Sequence, residues 1–282
     1  MGNITDDIRQ HFDTFAELPF TEADSLALSQ LAYARMPDNV PRYHENAETA
    51  DGMIATVPIH DLLRAECYDD MFGKVWSPSM NVDLLRAMSE SPRWRNLRVG
   101  AYVDEFDAAT TKQFSACVFE LGNGTLYVAF RGTDSSIVGW KEDFMMAFRR
   151  PVASQEAAAR YLTELAGHWA GPIMVGGHSK GGNLAVYAAA NVPSEIQERI
   201  TVVYSHDGPG FDEAFFDEDG YVALRRRFIN RYRARRSSAC CLRLVSMWKT
   251  AIRWSAATVP ASCSISHCTG KSIMANSYRL MD

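Results

Sequence analysis

The sequence predicts an α/β fold, a mostly parallel sheet flanked by helices and preceded by a helical N-terminal portion. Three observations carry this. Buried-strand runs at 173–175 and 200–205 alternate with helical stretches of about 10–15 residues, the pattern of parallel strands joined by crossover helices. From Leu97 onward apolar residues recur at every second position, and Gly122-Asn123-Gly124 supplies a hairpin turn between two such runs. Gly177-His178-Ser179-Lys180-Gly181 fits G-x-S-x-G and stands between a strand and a strong helix former.

In chain order, residues 1–20 read as a short helix and a connector ending at Pro19. Thr21 caps an amphipathic helix with Leu26, Leu28, Leu31 and Tyr33 on its apolar face, broken by Pro37, Asn39 and Pro41. Helical stretches at 61–71 and 81–88 complete an N-terminal portion, 1–95, packed on the core. The core is expected over 96–225, with strands at 99–103, 114–119 and 125–130, the last running into Arg131-Gly132-Thr133-Asp134. Trp140 to Phe144 opens a short helix, and Ser154 caps a longer one through Leu165, with Gly171-Pro172 as the stop. The strand at 173–175, the elbow and a helix over 181–190 follow. The strand at 200–205 ends in His206-Asp207-Gly208-Pro209-Gly210-Phe211.

An apolar share of 47% with 22% charged residues is ordinary for a globular protein. No apolar run reaches the roughly 20 residues that cross a bilayer, and the acidic start lacks the features of a signal peptide, so the cytoplasm is the expected location. Six cysteines do not make a disulfide framework: Cys67 and Cys117 are isolated, and Cys240, Cys241, Cys263 and Cys268 crowd the last stretch. Cys263 and Cys268 with His267 between them lack a usual zinc spacing, so no metal site is expected, nor any cofactor.

A serine needs a base to take its proton and donors to hold an oxyanion. On a strand–turn–helix elbow the hydroxyl is lifted above the sheet, and the flanking glycines let strand and helix approach. The nucleophile candidate is Ser179. One oxyanion donor is the N–H of Lys180, and the other is expected in the loop after an earlier strand, at Thr133, whose hydroxyl could add to it. Asp207, just beyond the strand that follows the elbow helix, is the candidate acid. After Asp207 the only histidine is His267, the weakest assignment of the set.

Phe130-Arg131-Gly132-Thr133 with Trp140 and Asp143, followed by Gly177-His-Ser-Lys-Gly-Gly-Asn-Leu-Ala185, resembles the class 3 (fungal-type) lipases in outline. The chain is more similar to a bacterial family of lipase-like α/β-hydrolases classed as a domain of unknown function. That likeness rests on the 19–33 segment, Phe-Arg-Gly-Thr-Asp, His-Ser-Lys-Gly-Gly-Asn-Leu-Ala and Asp207-Gly-Pro-Gly-Phe211, and runs from about residue 5 to about 225. It implies an α/β-hydrolase fold, Ser179 as nucleophile and a small-molecule ester or lipid-like substrate. It says nothing of acyl chain, head group or oligomeric state. The competing function is a non-catalytic binding protein on a hydrolase scaffold.

Beyond residue 225 the resemblance stops. Residues 221–281 hold 12 Lys and Arg and no Asp or Glu; with Asp282 this gives +11, so residues 1–220 carry −5 − 11 = −16. Relatives continue with two further strands and a Gln-His step before a Trp-Gln-Val segment, and that histidine would be the base. In a shifted frame, the codons behind 247–252 force Val-Glu, those behind 238–242 force a Leu, those behind 263–265 permit Gln-His and those behind 267–272 permit His-Trp-Gln-Val. We therefore expect residues from about 226–230 onward, the 226–282 tail, to be a frameshifted translation of a hydrolase C-terminus. A genuine basic arm for nucleic acid or anionic lipid is the competing account, and nucleic acid is not the expected partner. Sequencing the gene tests the frameshift: an intact alternative frame carrying those motifs is expected, and one without them overturns it.

Overall fold

A computed structural model of the chain describes residues 3–43, 54–75, 77–134, 136–146 and 148–230. The expected tail therefore lies almost wholly outside the described residues, and His267 with it.

The elements run α1 (Ile4–Gln10), α2 (Glu22–Leu31), β1 (Thr56–Pro58), α3 (Tyr68–Phe72), α4 (Pro78–Glu90), β2 (Arg98–Asp107), β3 (Lys112–Glu120) and β4 (Leu126–Phe130). Then follow α5 (Ile137–Met146), α6 (Ala153–Gly167), β5 (Ile173–His178), α7 (Lys180–Asn191), α8 (Ser194–Gln197), β6 (Ile200–His206), α9 (Asp219–Leu224) and β7 (Phe228–Asn230). The strands form one sheet in sequence order, β1 to β7. β1 to β4 pair antiparallel and β4 to β7 pair parallel, so β2, β4, β5, β6 and β7 all point the same way and the sheet is α/β in kind. Gly122 and Gly124, both at positive φ (74° and 79°), make the β3–β4 turn that their sequence announced.

Alternation along the strands divides the interior in two. Leu126, Val128 and Phe130 of β4 face one apolar cluster with α6 and α7, while Tyr127 and Ala129 face a second, built from α1, α2 and α4. The crossovers after β4, β5 and β6 place α6, α7 and α9 on the same side, as right-handed connections between strands taken in sequence order must. The N-terminal residues cover the other side and also add β1 at the sheet edge.

Several elements differ in detail from the sequence pattern. The stretch at 61–71 is not one helix but two 3₁₀ turns, Ile59–Leu62 and Ala65–Cys67, leading into α3. Ile59 and Leu62, three residues apart and both fully buried, eclipse each other on a 3₁₀ turn. Ser154 does not cap α6, which begins one residue earlier. The Gln155 side chain closes its first turn by accepting the Val152 N–H at 3.0 Å, and the Ser154 N–H donates to Glu142 Oε1 at 2.9 Å. Thr21 does cap α2, in a reciprocal capping box with Asp24.

Asp24 has a second partner that holds the N-terminal cover in place. The Arg93 guanidinium donates from Nε to Oδ1 at 3.0 Å and from Nη2 to Oδ2 at 2.6 Å, with both side chains almost wholly buried. Its remaining N–H groups donate to the carbonyls of Asp13, Leu18 and Pro19, and it lies 4.1 Å above the Phe15 ring. One cation thus gathers three carbonyls of a connector whose own backbone bonds are confined to a single turn at Thr14–Leu18. Arg93→Ala strands a buried carboxylate and is expected to cost about 3–5 kcal/mol in urea unfolding; a loss below about 1 kcal/mol, the worth of a surface pair, would refute this role.

Candidate functional site

The sheet brings three loops together at the carboxyl ends of β4, β5 and β6. Phe130 pairs with Gly177 and His178 with His206, so residues 131–134, 179 and 207 leave adjacent strands at one edge.

Ser179 occupies the turn between β5 and α7 at φ 55° and ψ −128°, a strained region for any residue with a side chain. Two close approaches create the turn. A Cβ on Gly181 would meet the Phe130 carbonyl oxygen at 2.1 Å, and one on Gly177 would meet the Gly181 backbone at 2.3 Å. The Ser179 N–H donates to the His206 carbonyl at 2.8 Å, fixing the turn to β6. Its side chain is half-buried, and among the described residues nothing hydrogen-bonds its hydroxyl.

Lys180 is the first residue of α7, so its N–H has no intrahelical acceptor and is free to face a ligand. The Thr133 loop is close: a Cβ on Gly132 would lie 2.7 Å from the His178 carbonyl oxygen. The Thr133 hydroxyl, expected as an extra donor, is engaged elsewhere. It donates to Asp143 Oδ2 on α5, which leaves the Thr133 N–H as that residue's free donor.

Asp207 follows β6 at φ 54°, in the left-handed region that Asp tolerates better than most residues. Burial raises its carboxyl above the ordinary range, and no hydrogen bond reaches it among the described residues. Asn183 of α7 steadies the loop beyond, donating to the Pro209 carbonyl at 2.9 Å while accepting from Gln155 of α6 at 2.8 Å.

Neither histidine beside the site bridges Asp207 to Ser179. His178 is buried and hydrogen-bonded at Nδ1 to the Tyr33 hydroxyl at 3.0 Å. His206 Nε2 lies 2.9 Å from Ser25 Oγ, beneath the N-terminal cover. A crevice beside Thr133, lined by Tyr33 and Arg131 and rimmed by Arg35 and Lys74, opens next to the loops.

Sequence reasoning missed two parts of this site. Tyr33 was read only as a face of α2, and Glu142 was not singled out at all. The signal for Glu142 was a lysine set among glycines at the start of an otherwise apolar helix, which calls for a buried acid elsewhere in the chain.

The profile of the Mbeg1-like family matches residues 88–239, more than half of the chain. The chain belongs to the Mbeg1-like family. Membership agrees with the lipase-like resemblance carried by the elbow and the Phe-Arg-Gly-Thr segment, and gives this Mbeg1-like chain a hydrolase lineage. The match contains all of β2 to β7, and with them Thr133, Ser179 and Asp207. Among solved structures, a crystal structure of M37 lipase is similar over 75% of this chain and 67% of that one, at 19% identity and a TM-score of 0.44. No curated protein matches. Among the described residues no helix is long and apolar enough to cross a membrane.

Two buried groups give the site opposite pH responses. Burial pushes His178 from 6.5 down to about 4, so it is neutral in the folded chain; its contribution to stability is present above 6.5 and lost as pH falls through 4. Asp143 is raised from 3.8 to about 6, first by burial and against the pull of Lys180 and Thr133. Its Oδ1 is enclosed without a hydrogen bond among the described residues. Its contribution is present below 3.8 and lost as pH rises through 6. Asp143→Asn is therefore expected to gain stability relative to the parent chain between pH 4 and 7, by roughly 3 kcal/mol in urea unfolding. A difference that does not change with pH would overturn this.

Proposed function

We propose that this Mbeg1-like chain is a serine hydrolase of the esterase or lipase type, with Ser179 as nucleophile and a small ester or lipid-like molecule as substrate. The observation that carries the proposal is the strained Ser179 backbone, held by Gly177 and Gly181 against β4 with its hydroxyl uncommitted. Strain of this kind survives only where the surroundings impose it, and here it falls on the residue next to the unpaired N–H of the first residue of α7. In the proposed chemistry Ser179 Oγ attacks the ester carbonyl, and the N–H groups of Lys180 and Thr133 receive the negative charge on its oxygen. The base takes the serine proton and passes it to the departing alkoxide, which leaves as the alcohol; water then adds to the acyl-serine, releasing the acid and restoring the serine hydroxyl.

Asp207 is proposed as the acid that orients the base. His267, outside the described residues, is the one histidine this chain carries after Asp207; as part of an out-of-frame tail it does not replace the base of the lineage, and we expect the activity of this chain to be impaired. The organisation we infer is a cover over 1–95, a hydrolase core over 96–225 and a tail over 226–282 that is out of frame.

A second reading has one observation in its favour. Among the described residues no histidine ring hydrogen-bonds the Ser179 hydroxyl or the Asp207 carboxylate, as a non-catalytic binding protein on this scaffold would show. A fluorophosphonate probe separates the two. The hydrolase reading expects labelling that disappears in Ser179→Ala. No labelling, even after the alternative frame is restored, supports the binding protein.

A further inference from the structure

Lys180 does more than lend its N–H. Its side chain turns inward until it is 1% exposed, and Nζ donates to the Gln113 carbonyl at 2.6 Å, to Glu142 Oε2 at 2.9 Å and to Gln113 Oε1 at 3.3 Å. Glu142, on α5, is fully buried. Besides Lys180 it accepts the Gln113 N–H at 3.0 Å through Oε2 and the Ser154 N–H at 2.9 Å through Oε1. Four segments meet on this one carboxylate: α5, the start of β3, the start of α6 and the elbow.

Burying an ion pair is an inefficient way to stabilise a fold, because desolvation offsets most of the attraction; apolar side chains of the same volume often do better. The arrangement accounts for something that apolar packing does not supply. α7 opens Lys180-Gly181-Gly182, so of its first three residues Lys180 alone has a side chain by which the turn can be gripped. Immediately before it sits a serine whose backbone is strained. The next residue of α5, Asp143, accepts the Thr133 hydroxyl. Two successive carboxylates of one helix therefore reach the two residues proposed to supply the oxyanion donors, Lys180 and Thr133.

We propose that Glu142, with Gln113, is a positioning residue for the oxyanion site. By anchoring the Lys180 side chain it fixes the first turn of α7, and with Asp143 it sets the spacing between the Lys180 and Thr133 donors. The anchoring stands on the geometry alone; its catalytic consequence rests on the reading of Ser179 as nucleophile.

The test is amide hydrogen exchange on the full chain with Glu142→Gln, which keeps the shape and removes the charge. Gly182 and Asn183, whose N–H groups donate to the Ser179 carbonyl, should exchange at least about tenfold faster, while the amides of β5 and β6 keep their rates. Unchanged exchange at Gly182 and Asn183 overturns the proposal. So does a uniform acceleration across the sheet, since that marks a pair serving stability only. If Glu142→Gln fails to fold, Glu142→Gln with Lys180→Met, which removes the cation left unpaired by the single change, is read the same way.

Fluorophosphonate labelling gives the second arm. Where the parent chain labels, folded Glu142→Gln should label at least about tenfold more slowly, and equal rates would overturn the catalytic role. Where the parent chain and its restored frame do not label, the Ser179 assignment fails, and the exchange experiment still decides the anchor.

Discussion

The sheet never reverses its order, and most of the architecture follows from that constraint. Strands β4 to β7 are laid down side by side, each parallel to the last. Parallel neighbours need a crossover, crossovers are right-handed, and a series run in one direction deposits every crossover on the same face. The opposite face, with Tyr127, Ala129 and Tyr204, would stand bare without a separate cover. That explains why about a third of the chain precedes the long strands. The same order places the carboxyl ends of β4, β5 and β6 next to one another, so their loops can share a site without a topological switch.

Two buried ion pairs do what apolar packing cannot. Arg93–Asp24 lies in the N-terminal cover and gathers the carbonyls of an irregular connector. Lys180–Glu142 lies under the elbow and grips a glycine-rich turn. In both places directional bonds to a fixed charge hold backbone that a strand or helix ladder does not, the connector by its carbonyls and the glycine turn by the side chain of Lys180. Each charge is also satisfied by several partners, the condition under which a buried pair escapes most of its desolvation cost.

Local grammar was legible in the sequence. The G-x-S-x-G elbow, the period-two strands, the Gly122–Gly124 hairpin and the Thr21 cap are each set by a few neighbouring residues, and the structure has all of them. Long-range partnerships were not. The Lys180–Glu142 pair spans 38 positions and the Arg93–Asp24 pair 69, and no pattern in a single sequence couples residues that far apart. The Thr133 hydroxyl shows the same limit: its residue was assigned to the site from its loop, but its proton is directed by Asp143 on a helix that begins later. β1 and β7 were also hidden, because three-residue strands are too short to show a period and exist only through the neighbour they pair with.

The N-terminal cover has a bearing on how the chain is made. Translation releases residues 3–43 before any strand of the sheet, so the shield for Tyr127, Ala129 and Tyr204 is already outside the ribosome when those residues emerge. Yet the shield cannot lock until Arg93 arrives to clamp Asp24, just ahead of β2. Nascent α1 and α2 would therefore wait as a loose collar and close once the clamp is synthesised. The segments that cover Tyr127, Ala129 and Tyr204 thus lie ahead of them in the chain, and so does Arg93, the residue that clamps those segments.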